Sequence, residues 1–260
     1  MPEPGAQSPV MRWLGPPLTL LGIVVLWQVL VAVLHVEPLI LPEPTAIVHA
    51  LVASPGWFLQ ESAYTLLTTL IGFAIAVVVG VLLAVLIVEV RVLESTVFAL
   101  ISALNSVPKV AIAPLFVIWL GVGSAPKIAI AFLIAFFAIV IDTVLGLKSV
   151  PPDMLDLART FHGKRADILW RIRLPCALPS MFAGMKVGVS LALVGAIVGE
   201  FVATDHGLGY IILTAQGTFD TPQIFAAIIL LAVFGMLLFW AIGALERRLL
   251  PWHESQRQHW

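Results

Sequence analysis

Pro151-Pro152-Asp153-Met154-Leu155-Asp156-Leu157-Ala158-Arg159-Thr160-Phe161-His162-Gly163-Lys164-Arg165-Ala166-Asp167-Ile168-Leu169-Trp170-Arg171-Ile172-Arg173-Leu174-Pro175 is polar, yet it is patterned in a way a simple tether does not need. Pro151 and Pro152 suit a helix start. Met154, Leu157, Ala158 and Phe161 then recur at helical spacing, with Asp153, Asp156, Arg159 and Thr160 on the other face. His162-Gly163 interrupts the pattern. A second short helix is expected to carry Ile168, Leu169 and Ile172 on one side and Arg165, Asp167 and Arg171 on the other. Pro175 is expected to end it, and Pro179 to mark the next boundary. Two short amphipathic helices must lay their apolar faces on something. The candidates are the end of the chain's own helix bundle and a partner protein.

The flanks of this segment (148–180) are far more apolar. Hydrophobic residues make up 60% of the 260-residue chain and charged residues 11%, with mean hydropathy +1.06. A soluble domain carries about 25% charged residues, so water cannot be the main solvent here. A net charge of −1 gives no basis for nucleic-acid binding, and a single cysteine, Cys176, excludes a disulfide framework or thiolate cluster. Six runs approach or exceed the about 20 apolar residues a membrane helix needs: Leu18–Val36, Tyr64–Val90, Ser95–Leu120, Lys127–Leu147, Met181–Phe201 and Pro222–Leu245. They lack the alternation of barrel strands. The expected fold is all-α, a polytopic bundle of six transmembrane helices over 18–250, with a flexible N-terminal tail at 1–17 and a C-terminal tail at 251–260. The first span lacks an Ala-x-Ala site and is read as uncleaved.

Arg12, Arg91, Lys148, Arg159, Lys164, Arg165, Arg171, Arg173, Arg247, Arg248 and Arg257 all fall on one side if both termini are cytoplasmic. The opposite loops 37–63 and 202–221 hold Glu37, Glu43, Glu61, Asp205 and Asp220 and no Lys or Arg. That asymmetry follows the positive-inside rule. Loop 37–63 is expected to hold a short interfacial helix at Thr45–Val52.

Asp156-Leu157-Ala158, three residues, His162, nine residues, and Ile172-Arg173-Leu174-Pro175 resemble the "EAA" loop of permease subunits in binding-protein-dependent ABC importers. Asp156 stands where that motif has Glu, Leu157 where it has Ala, and His162 where it has Gly, with Gly163 beside it. Pro108-Lys109-Val110-Ala111-Ile112-Ala113-Pro114-Leu115-Phe116 and Trp119-Leu120-Gly121-Val122-Gly123 resemble the third span of the nitrate/sulfonate/taurine-type subfamily. Glu200 with Gly207-Leu208-Gly209, and Leu245-Glu246-Arg247-Arg248 with Trp252, extend the likeness. The resemblance implies the type I importer permease fold in a bacterial cytoplasmic membrane. It makes Asp156, Ala158, His162, Gly163, Ile172, Leu174 and Pro175 the ATPase-coupling residues. It also implies a non-catalytic subunit with no cofactor in this chain, ATP and Mg being bound by two partner ATP-binding subunits. A second permease copy and an extracytoplasmic solute-binding protein complete the implied assembly.

Independently of that resemblance, no Gly-x4-Gly-Lys-Ser/Thr occurs in the chain, so any energy from ATP must come through another subunit. His-Glu-x-x-His is also absent. An ion-coupled secondary transporter, the alternative in another class, would be expected to place carboxylates in mid-span, whereas the acids here gather near span ends. Lys109 falls inside an apolar run, where an ionised Lys costs about 2.5–3.5 kcal/mol, and Pro108 before it is expected to break the helix. Lys109, Pro108 and Asn105, with Asp142 and Glu200, are the candidate residues of a translocation path; Lys109 favours an anionic solute. Lys109 is otherwise a brace at the kink, Asp142 a partner for a loop base, and Glu200 a tie for the adjoining loop. Gly184, Gly188, Gly195 and Gly199 suit close helix packing. Within the resemblance, nitrate, sulfonate, taurine or a thiamine-precursor pyrimidine remains open as substrate.

Overall fold

A computed structural model describes residues 9–90, 100–101, 103–161, 164–203 and 205–251. Among these the chain is all helix and turn. The helices are α1 (Pro9–Val33), α2 (Pro44–Ala53), α3 (Pro55–Glu89), α4 (Ala113–Leu120), α5 (Ser124–Lys148), α6 (Pro152–Thr160), α7 (Arg165–Val202), α8 (Leu208–Gly217) and α9 (Thr221–Leu249). Many begin on proline, because a first-turn N–H has no intrahelical acceptor and its loss is harmless there. Pro44, Pro55 and Pro152 stand in such positions. α9 adds a side-chain cap, Asp220 accepting from the Gln223 N–H at 3.2 Å.

α3, α5, α7 and α9 are long and apolar enough to cross a membrane. α5 is the centre, packed between α3 and α7. α7 and α5 run antiparallel at close range because the four glycines of α7 face α5. Gly184 meets Asp142, Gly188 meets Ile139, Gly195 meets Ala131 and Gly199 meets Lys127. A Cβ at Gly195 would stand 2.6 Å from the Ala131 Cα, and one at Gly199 would stand 2.7 Å from the Lys127 Cα. The core between these helices is built from small and β-branched residues, among them Ala76, Ala135, Ile139, Val189 and Ala192. α9 lies at the margin, with only 17% of its apolar window buried within the chain.

Three expectations about the spans change. α1 starts at Pro9, inside the stretch read as a tail, and ends at Val33; its apolar part, Pro17–Val33, is about 26 Å long at 1.5 Å per residue. The third run is not one helix. Helical structure stops at Asn105, a turn covers Ser106–Pro108, a 3-10 turn runs Lys109–Ile112 and α4 follows. Proline lacks the N–H that would continue the ladder. Finally, Pro175 does not end a loop helix. A π turn at Leu169–Arg173, where the Leu174 N–H donates to the Leu169 carbonyl, resets the hydrogen-bond register. Pro175 therefore falls in the first turn of the α segment Leu174–Val202, where its missing donor is not needed. Pro179 lies inside that segment instead of at its entry. The expected interfacial helix at Thr45–Val52 is α2, one residue longer at each end. Ser95, His162, Gly163 and Trp252 lie outside the described residues.

Candidate functional site

At the loop end of the bundle, α6 separates its two faces by chemistry. Its apolar face points away from the bundle: Met154 is exposed, Leu157 is 59% exposed and Phe161, just past the helix, 78%. Trp170, on the next segment, is exposed as well. The other face, Pro152, Leu155, Asp156 and Arg159, turns to the bundle and borders a crevice with Val88, Leu147, Lys148, Val150 and Arg173. The choice left open by the sequence is thereby narrowed, since the bundle does not cover Leu157 and Phe161. The second amphipathic stretch behaves oppositely. Leu169 and Leu174 pack onto the cluster of Ile87, Val140, Val144 and Leu147, and Ile172 is half-buried.

Among the expected coupling residues, Ala158 is half-buried on α6 and Pro175 is exposed on α7. Asp156 accepts from Arg159 Nη1 at 2.8 Å, and its carbonyl accepts from Thr160 Oγ1 at 2.9 Å. Asp156 thus sits on the crevice side, apart from Leu157 and Phe161. Trp170 was missed because it falls outside the apolar face assigned to the second helix, and helical spacing sets it away from that face.

At the opposite, distal end lies a buried polar cluster that sequence reading found only through Glu200. Thr65 Oγ1 donates to Glu200 Oε1 at 2.8 Å, and the Gly209 N–H donates to Glu200 Oε2 at 2.8 Å. Thr65 Oγ1 in turn accepts from the Leu208 N–H at 2.8 Å, while Glu61 Oε2 accepts from the Gly207 N–H. Successive amides of the 207–209 turn are therefore held by α3 and α7 side chains. Gly207 has φ +110°, and a Cβ there would overlap the Glu200 carboxylate; only glycine meets both demands. Beside this turn the buried Lys127 ammonium pairs with Asp205, donates to the His206 carbonyl at 3.1 Å and stands 4.5 Å over the Tyr64 ring. His206 Nδ1 lies 3.3 Å from Glu61 Oε1. Glu200 is fully buried and engaged here, so it belongs to the latch on the turn and not to an open surface. The signal that could have pointed to Lys127 and Asp205 is a base at a span boundary facing loops that contain acids and no bases.

The other path candidates are dispersed. Lys109 Nζ donates to the Asn105 carbonyl and Oδ1, both at 2.8 Å, and lies 4.7 Å over the Phe137 ring. The pair bridges the break at Pro108. Asp142 packs against Gly184 and makes no ion pair with the loop bases among the described residues. Lys186 and Glu246 form an ion pair joining α7 to α9.

An all-α membrane bundle with a bare apolar loop helix has the form of a transporter's membrane subunit. The chain belongs to the family described as binding-protein-dependent transport system inner membrane component, which matches residues 76–251. It is thus a multi-pass inner-membrane permease of an ABC importer. It is 35% identical to the formylaminopyrimidine transport permease protein ThiX of Halalkalibacterium halodurans, over 94% of this chain and 97% of that one. It is 37% identical to the riboflavin transport system permease protein RibX of Chloroflexus aurantiacus, over 93% and 91%. The taurine transport system permease protein TauC of Escherichia coli is 28% identical, with 90% of each chain covered. Among solved structures, the inward-facing MetNI methionine ABC transporter superposes with TM-score 0.67 over 75% of this chain and 97% of that one; at 18% identity, this speaks to the fold.

Proposed function

We propose that this permease, as a pair of identical copies, forms the path of a small anionic solute across the membrane and receives two ATP-binding subunits on the 148–180 loop. The observation that carries the docking is the α6 face of Met154, Leu157 and Phe161, apolar and uncovered by the chain itself. Burying a side chain such as Leu or Phe is worth about 1.5–3 kcal/mol, so a partner gains by covering it. ATP and Mg belong to that partner, and Asp156, Ala158, His162, Gly163, Ile172, Leu174 and Pro175 transmit its movement. Both termini are cytoplasmic on this reading, which the placement of the Lys and Arg residues supports. The distal end, with loops 37–63 and 202–221, then receives the solute-binding protein. The anionic preference is supported by Lys109 at the break in the third run and by the sulfonate and taurine permeases among the relatives. A thiamine-precursor pyrimidine is the second reading, favoured by the likeness to the formylaminopyrimidine permease.

Co-expression with the ATP-binding subunits tests the docking. Leu157→Asp and Phe161→Asp are expected to abolish co-purification and uptake while membrane insertion persists, and a bulky residue at Ala158 is expected to abolish uptake. Unimpaired co-purification of both Asp variants would remove the docking assignment. Crosslinking of the binding protein, followed by a thermal-shift ligand screen on it, decides between the two substrate classes.

A further inference from the structure

α8 ends in a hydrogen-bond pattern that favours glycine. The Asp220 N–H donates to the Ala215 carbonyl at 2.8 Å and the Phe219 N–H to the Gln216 carbonyl at 3.2 Å. This paired closure of a helix end puts one residue in the left-handed region. Here that residue is Phe219, with φ +59°. Glycine takes such a position without a clash, whereas a bulky side chain there is strained. The Phe219 ring returns little to the fold in exchange, because it is 75% exposed. More uncovered apolar side chains stand beside this turn. Thr221 Oγ1 donates to the Leu39 carbonyl at 2.9 Å and so ties the 39–40 segment against it; Ile40 is 71% exposed and Leu39 about half. A groove of about 390 Å³ opens next to the turn, walled by His49 of α2, Trp57 of α3, and Asp220 and Gln223 at the start of α9. Exposed apolar side chains gathered within a polar rim mark an interaction surface.

We propose that Phe219, flanked by Leu39 and Ile40, is the anchor on which the solute-binding protein seats, its ring entering an apolar recess of that protein edged by Lys or Arg. Charge decides among the occupants. Loops 37–63 and 202–221 contain acids and no Lys or Arg, and among the described residues Glu37, Glu43 and Asp220 have no basic partner. A partner with a basic rim is attracted to such a surface and oriented by it. A second copy of the chain would set the same acids against themselves. A lipid surface would find no basic side chain in either loop to hold its phosphates. The apolar face of α6 lies at the other end of the bundle, out of reach of whatever covers Phe219. The strained turn then has a use. It holds the ring outward before the partner arrives, so that less freedom is lost on docking, and a buried aromatic anchor is the type of residue that dominates binding energy. This assignment rests on the reading that the distal end receives the binding protein.

The test uses the permease assembled with its ATP-binding subunits in phosphatidylcholine nanodiscs, and the purified binding protein identified by crosslinking, labelled for fluorescence anisotropy. Phe219→Gly is expected to weaken binding about tenfold or more. Its unfolding temperature is expected to stay level or rise, because glycine suits the left-handed turn. A purely structural Phe219 would show the reverse, binding kept and stability lost, and that result overturns the anchor. Phe219→Trp is expected to restore binding. Rising salt is expected to weaken the parent complex, and Glu37→Gln to flatten that dependence. Hydrogen exchange of the complex separates the two levels of the assignment. Parent-like affinity in Phe219→Gly, with both distal loops still protected by the bound protein, would overturn the anchor and leave distal docking standing. Absence of protection from both loops would overturn the docking reading and the anchor together. Loss of the permease pair in Phe219→Gly would assign the patch to a second copy, and poorer membrane insertion at unchanged affinity would assign it to the lipid surface; either result overturns the proposal.

Discussion

Lys127, at the start of α5, is completely buried and its ammonium pairs with Asp205, 78 residues further along the chain. The two ends of that pair are not equivalent, since the Asp205 side chain is one-third exposed. Asp205→Asn strands a buried ammonium, and breaking a buried pair in this way costs about 3–5 kcal/mol; partial access of water to the site places the expected loss near the lower figure. The double variant Lys127→Met, Asp205→Asn removes both charges and is expected to unfold at a higher temperature than Asp205→Asn alone. Thermal unfolding of the purified permease reads this order directly. A double variant less stable than the single one would mean that the Lys127 contacts to Tyr64 and the His206 carbonyl outweigh its charge pairing.

Thr65 holds the same turn through a different interaction. Its fully buried hydroxyl donates to Glu200 and accepts from the Leu208 N–H. Thr65→Val keeps the shape but leaves a buried amide and a buried carboxylate each short of a partner, at about 1–3 kcal/mol for each group left unsatisfied. The expected outcome is a clear fall in unfolding temperature, together with faster amide hydrogen exchange at Leu208. Unchanged exchange there would show that the turn does not depend on this hydroxyl.

Why was the loop legible in the sequence and this cluster not? α6 declares itself through residues close in sequence, Met154, Leu157 and Phe161, and local periodicity is what sequence reading captures. α2 and the break at Pro108 were readable for the same reason. Glu61, Thr65, Lys127, Asp205 and His206 come from three separate stretches, and only the packing of α7 antiparallel to the parallel pair α3 and α5 brings them together. Pro175 misled because a proline's effect depends on the hydrogen-bond register before it. The π turn at Leu169–Arg173 changes that register without a sequence mark as plain as a glycine or proline. The direction of α6's apolar face was likewise a tertiary fact, since periodicity defines a face but not what it meets.

Glycines of α7 differ sharply from Gly235 of α9 in what a methyl group would meet. At Gly195 the added carbon would lie against the Ala131 backbone, which cannot swing aside; at Gly235 the nearest neighbour is the flexible end of Leu193 at 3.4 Å. Gly195→Ala is therefore expected to force α5 and α7 apart, at about 1–3 kcal/mol. Gly235→Ala is expected to be neutral or to stabilise α9 by about 0.5–1 kcal/mol through helix propensity. Folded yield in detergent and unfolding temperature distinguish the two. Equal tolerance at both sites would mean that α5 and α7 separate more easily than their contact distances imply.

Lys109 offers the most direct test of the path. Its ammonium is held by Asn105 across the Pro108 break, but it is only partly covered and has no carboxylate partner among the described residues. As a brace alone, its charge would matter little to which solute passes, and Lys109→Gln, able to bond Asn105, would transport as the parent does. As part of an anion's path, it contributes an attraction that Gln cannot replace and Arg can. Uptake of taurine or a sulfonate is therefore expected to fall in Lys109→Gln and to recover in Lys109→Arg. Stability should change by no more than about 1 kcal/mol, because one modest hydrogen-bonded contact is altered. The measurement is uptake in proteoliposomes carrying the ATP-binding and solute-binding subunits, paired with unfolding temperature. Parent-like uptake in the Gln variant would restrict Lys109 to bracing the kink and would leave the anionic preference to the binding protein.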